Sequence, residues 1–236
     1  MRFMVMHKTD PVMEAGGPPS PRIIQEMGTF IQGAAKAGVF KDGAGLHPSS
    51  RRVRLVFEAG ARTVTRGPYE GRNELLASFA MIKADSIDHA IEIASRLAAA
   101  VGDVEIEIGP VVEAWDLGVM AKPAGAALRF LLLRKADAAF EAGAPQPAAL
   151  TRLLGELARD GVVISAATLA PSSTGLRFRK TGGKRAWTDG PFTESKELVA
   201  GFSILELPAL ADVKAWAEPY AAILGDNEID ARVVVE

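Results

Sequence analysis

Asp189 stands before a Gly-Pro pair in the stretch TDGPFTESKEL, Thr188 to Leu198. A carboxylate held there could act as a general base or anchor a cationic group of a ligand. It could equally do no more than form the turn, because Asp oxygens accept from nearby backbone N–H groups and Pro191 fixes the following φ. Phe192 is a candidate pocket wall, with a core position as the alternative. Glu194 and Lys196, just beyond, are candidate ligand contacts or a solvated pair, worth little if exposed. The stretch recurs upstream as TRGPYEGRNEL, Thr65 to Leu75, with its second position reversed in charge. There Arg66 aligns with Asp189, Tyr69 with Phe192, Gly71 with Glu194 and Asn73 with Lys196. A duplicated stretch needs only one working site, and the copy that keeps the acid is the better candidate. Arg66 and Tyr69 complete the set of candidate ligand contacts.

Histidine is the other candidate. His7 closes the first apolar run, where the second copy has Arg134. An imidazole there could take a proton from a substrate, although a strand-end histidine is more often a surface or partly packed side chain. His47, in LHPSS, has Ala170 as its twin in LAPSS, so that loop does not require an imidazole. His89 falls among Asp85, Glu92 and Arg96 on a polar helical face. The chain has no cysteine, which excludes disulfides, thiolate nucleophiles and Cys-ligated zinc. Three scattered histidines offer no metal-ligand spacing. A Gly-Lys-Ser/Thr phosphate loop, a dinucleotide fingerprint and a Gly-x-Ser-x-Gly elbow are all missing, so neither metal nor cofactor is expected. A net charge of −2 and 6% aromatic residues predict binding to neither nucleic acid nor membrane.

Positioning these residues requires a core, and 48% hydrophobic with 24% charged residues is ordinary for a soluble globular protein. The opening MRFMVMHKTD carries too short an apolar run for a signal peptide. Nothing approaches membrane-spanning length, and a cytoplasmic protein is the expectation. The echo extends along the chain: RFMVMHKTD matches RFLLLRKAD, and AKAGV matches ARDGV. A repeat this long is a duplicated domain, not a solenoid unit. The expected domains are 1–114 and 127–236, joined by a linker at 115–126. Helical spacing runs from Ile23 to Ala34, opened by Ser20 and Pro21. RVRLVFEAGARTVT and GLRFRKTGGKRAWT read as hairpins. LLASFAMIKA and LVAGFSILEL read as strands, SIDHAIEIASRLAAAV as a capped helix, and VEIEIGPVVE and NEIDARVVVE as closing strands. The resulting order is β-α-β-β-β-α-β, a split βαβ with an added hairpin.

The Arg-Phe-apolar first strand, the DGPFTESKELVAGF run, the helix after it and the closing E-I-x-x-R-V strand resemble the YCII-related family with its DGPF motif. The resemblance covers nearly the whole chain as two tandem copies, the second closer to the pattern. It implies an α+β fold of tandem ferredoxin-like domains, each with an extra hairpin, whose sheets pair as a pseudo-dimeric α/β barrel. The chain would then be a monomer with a pseudo-dimer core, or a homodimer. Pairing two sheets leaves a cavity between them, where a small molecule could bind and Asp189 could support slow turnover. In smaller relatives a His–Asp pair is proposed as catalytic, with the His on the first helix; neither IIQEMGTFIQ nor AALTRLLGEL offers one. Association of some relatives with extracytoplasmic-function sigma factors gives the alternative, a regulatory or protein-interaction module without catalysis.

Overall fold

The computed structural model describes residues 1–192 and 195–235. Copy one runs β1 (Arg2–Lys8), α1 (Pro11–Glu14), α2 (Pro21–Lys36), β2 (Phe40–Leu46), β3 (Val53–Glu58), β4 (Ala61–Arg66), β5 (Leu76–Ala84), α3 (Ile87–Val101) and β6 (Val104–Val112). Copy two repeats the series as β7 (Leu128–Lys135), α4 (Ala138–Glu141), α5 (Ala148–Arg159), β8 (Val163–Leu169), β9 (Leu176–Thr181), β10 (Lys184–Asp189), β11 (Val199–Glu206), α6 (Asp212–Leu224) and β12 (Asn227–Val235). The expected start signals operate. The Ser20 hydroxyl accepts from the Ile23 N–H with Pro21 in the first turn of α2, and Ser86 caps α3 by accepting from the His89 N–H.

Eight strands close into an antiparallel barrel in the order β1-β11-β2-β6-β7-β5-β8-β12, with β12 returning to β1. The sequence copies are interleaved in it. β1 pairs with β11 (Phe3 with Leu205) and β12 (Phe3 with Val233), both from copy two. β7 pairs with β5 and β6, both from copy one. The hairpin β3–β4 extends the sheet from the first half of β6, and β9–β10 extends it likewise from β12. Between β6 and β7 the chain passes through turns, and Arg129 grips Glu113 with two hydrogen bonds of 2.7 Å across that connection.

The strands β2 and β8 lie outside the expected element order. FKDGAGL carries little apolar alternation, because β2 serves as a joint between the copies: it pairs with β11 through Gly45 to Phe40 and with the end of β6. Its twin β8 joins β5 to β12 in the same manner.

The core has layers on both sides of the barrel wall. Alternation along β1 sends Phe3 and Val5 outward beneath α2 and α6, beside Trp216 and Tyr220, and Met4 and Met6 inward. On the opposite side α3 and α5 cover Ile82, Ile106 and Leu132. The lumen corrects an expectation. Met4, Met6, Leu76, Phe79, Met81, Leu131, Leu133 and Phe202 fill it as one buried apolar cluster. An eight-strand barrel is just wide enough for side chains to meet across it, so the space between the sheets is packed core and not a ligand cavity.

Candidate functional site

The repeated Gly-Pro motif is first a structural joint. A Cβ on Gly190 would collide with the carbonyl of Ser172, and one on Gly67 with the carbonyl of Ser49. Both glycines therefore let the motif turn lie flat on the Pro-Ser-Ser loop of its own copy. The Phe192 N–H donates to the buried Ser172 hydroxyl at 3.2 Å, and the Ser172 N–H donates to Glu141 at 2.9 Å. Copy one repeats this with the Ser49 N–H donating to Glu14 at 3.1 Å. The two motif loops also meet. The Glu74 N–H donates to the Ser195 carbonyl at 2.8 Å, and the Lys196 carbonyl sits where any side chain on Gly71 would begin.

In copy one the space behind the motif loop is closed by charge. The buried Glu74 carboxylate bonds Lys135 and accepts from Arg54 at 3.3 Å. Lys135 also lies 3.4 Å from Glu107, which accepts from Arg52 at 2.8 Å. Arg72 lies over the outside, paired with Glu105 through Nε at 3.1 Å, and Arg54 stacks on the Tyr69 ring at 4.3 Å. Burial alone would raise the Glu107 carboxyl, but Lys135 and Arg52 outweigh it and hold the group below its ordinary range. Burial likewise disfavours the Lys135 cation, yet Glu107 and Glu74 keep its pKa above the usual lysine value.

Copy two uses the same positions differently. Arg177, twin of Arg54, grips Asp230 through bonds of 2.6 and 2.9 Å and stacks on Phe192 at 4.3 Å. Lys8, twin of Lys135, lies 3.2 Å from Asp230 with only 2% of its side chain exposed. Burial pushes the Asp230 carboxyl up, but Lys8 and Arg177 together hold it below the usual carboxylate range. One substitution and one change of placement open space. Ser195 replaces Arg72, and Glu197, twin of Glu74, is exposed and pairs with no described residue. The result is a groove of about 680 Å³ between the copy-two motif loop, the β9–β10 hairpin and the start of β12. Such a volume lies in the range of small-molecule sites. Lys8, Arg179, Thr188, Phe192, Ser195 and Asn227 are among its walls. Among the described residues the Ser195 hydroxyl is buried without a hydrogen-bond partner, and the Lys8 ammonium has only its ion pair with Asp230.

The candidates read from sequence fall in different places. Asp189 ends β10, exposed, outside the groove walls. Lys196 lines the groove, and Phe192 both lines it and packs with Leu75, Ala77, Ala136 and Phe140. Glu194 lies outside the described residues. Arg66 is exposed, pairs with Asp88 on α3 and is not among the groove walls. Tyr69 belongs to the closed copy-one cluster, and burial followed by the nearby Glu107 raises its pKa. His7 is buried beneath α6, 2.8 Å from the Tyr220 hydroxyl. Burial, with Arg52 second, lowers its pKa to about 4, so it is a neutral packed imidazole at pH 7. Its edge occupies the place a side chain on Gly201 would need. Lys8, Arg177, Arg179 and Ser195 were not singled out in sequence. The signal was present as Ser195 against Arg72 in the aligned loops, but an exposed-reading serine gives no hint of being buried.

The model of the YCII-related domain matches residues 1–113 and 128–229. A search of curated proteins finds no match.

Proposed function

The chain belongs to the YCII-related family, and from that premise we propose that it binds a small molecule in the groove beside the copy-two motif loop. One observation carries the proposal: equivalent positions are filled by the protein's own Glu74 and Arg72 in copy one and left open by the described residues of copy two. Duplication relieves one copy of its site, and the closed copy then serves as scaffold for the open one. On this account each four-strand layer with its two helices is a ferredoxin-like unit assembled from both copies. Binding, and not proton transfer by His7, is the role favoured, because a buried imidazole with a pKa of about 4 and a tyrosine partner has no substrate within reach.

The test is a thermal-shift screen of small metabolites against the parent and Thr188→Trp. Thr188 is an exposed groove wall on β10, and an indole there would occupy the groove while leaving the strand pairing intact. Compounds that stabilise the parent should lose their effect on the variant. Equal shifts on both proteins would move the binding site elsewhere.

A further inference from the structure

Resting on the groove as the binding site, we propose that its ligand is a small carboxylate, seated against the Lys8 ammonium and the Ser195 hydroxyl. Copy one supplies the template. There the ammonium of Lys135 holds the carboxylate of Glu74, buried and supported by further donors from Arg54 and the Arg72 N–H at 3.2 Å. The chain carries that carboxylate on its own backbone, so the closed site is a site with its ligand built in. In copy two the equivalent lysine is just as buried, but the equivalent acid, Glu197, is an exposed residue of the groove wall with no ion pair to Lys8. Lys8 therefore keeps one ion pair, with Asp230, and has no further acceptor among the described residues for the rest of its N–H groups.

A buried ammonium with unfilled donors is costly unless an acceptor completes it. Ser195 adds a second buried polar group without a partner to the same groove wall. A hydroxyl and an ammonium together complement an oxygen acceptor bearing negative charge, and a carboxylate is what the twin lysine holds. Asp230 shares the charge of Lys8 and also engages Arg177. The incoming anion thus completes a cluster whose buried acid is already balanced.

Calorimetric titration with benzoate and succinate, each beside its neutral counterpart benzamide or succinamide, tests the assignment. The carboxylates should bind the parent and the amides should bind at least about tenfold more weakly, the cost of losing one hydrogen bond to a charged group. Lys8→Met should weaken carboxylate binding by a similar factor. Arg177 still grips Asp230 in that variant, but if it fails to fold, Ser195→Arg provides the second test. It restores the arginine of copy one opposite Glu228, twin of Glu105, and should abolish binding. Amides that bind as well as carboxylates, with both lost in Thr188→Trp, would overturn the carboxylate and leave the groove as the site. Undiminished carboxylate binding in a folded Lys8→Met or Ser195→Arg would overturn the assignment to these side chains. No binding of any of the four compounds at millimolar concentration would overturn it as well.

Discussion

His7 shows how a residue able to do chemistry becomes a structural part. Its sequence position, a strand end facing an arginine in the other copy, left both outcomes open. Packing decided between them. Tyr220 reaches down from α6 to its ring, and Gly201 on the neighbouring strand makes room for it. In the equivalent strand pair the same two positions hold Arg134 of copy two and Ser78 of copy one, joined at 2.9 Å, so each strand-end residue is matched to the residue beside it. The buried imidazole has a consequence for stability. Unfolded, it binds a proton below about 6.5; folded, not until about 4. Between those values the unfolded chain holds more protons, so stability falls as pH drops from 6.5 to 4, by up to about 3 kcal/mol. Urea unfolding followed across this range should show that fall, and His7→Gln, which cannot titrate, should flatten it. An unchanged slope in the variant would assign the effect to other groups, Asp230 and Glu107 among them. Their depressed folded pKa values withdraw stability as pH falls through the ordinary carboxylate range, at the acid end of this window and below it.

At the scale of elements, the contact between the two motif loops holds the open and closed sites against one another. Gly71 is its tightest point, because the Lys196 carbonyl lies against it. Gly71→Ala must push the loops apart and should cost about 1–3 kcal/mol. Gly33→Ala, on the exposed face of α2 with open space around it, should instead stabilise by about 0.5–1 kcal/mol. Chemical denaturation of the two variants checks both signs, and equal effects would show that the loop contact bears no load. The elements that carry these loops were largely legible in sequence. Ser20-Pro21 marked α2, the Ala59-Gly60 and Gly182-Gly183 turns marked the hairpins, and apolar alternation marked the closing strands. β2 and β8 were not legible, because a strand that joins two copies is written in glycine and small residues that permit close approach. The site was legible in its neighbourhood and not in its parts. Phe192 and Lys196 do line the groove, but the buried cation comes from Lys8, which strand exchange brings from the far end of the chain. The cluster arginines hid for a related reason. Arg52 beside Gly109 in copy one becomes Gly175 beside Arg232 in copy two, so a guanidinium reaches the same space from the neighbouring strand and aligned positions do not match.

At the scale of the whole molecule, the two copies build one closed barrel by exchanging strands. Because β1 pairs only with copy-two strands and β7 only with copy-one strands, neither copy can complete a layer alone. Chains ending and starting within 118–125 should therefore not give stable folded monomers separately, whereas mixing them should restore the barrel. Sedimentation and circular dichroism of each piece and of the mixture measure this, and a cooperatively folded monomer of either piece would contradict the interleaved architecture. Continuity is also what allows the two ends to diverge, since a symmetric dimer must write the same residue twice. One end has kept its carboxylate inside as Glu74, and the other presents a buried lysine to an open groove. The most direct measurement of that asymmetry is a two-dimensional amide NMR titration with benzoate. Shifts confined to the copy-two end, at Lys8, Arg179, Thr188, Ser195 and Asn227, are the predicted result. Shifts centred on Arg54, Tyr69 and Arg72 at the copy-one end would contradict it.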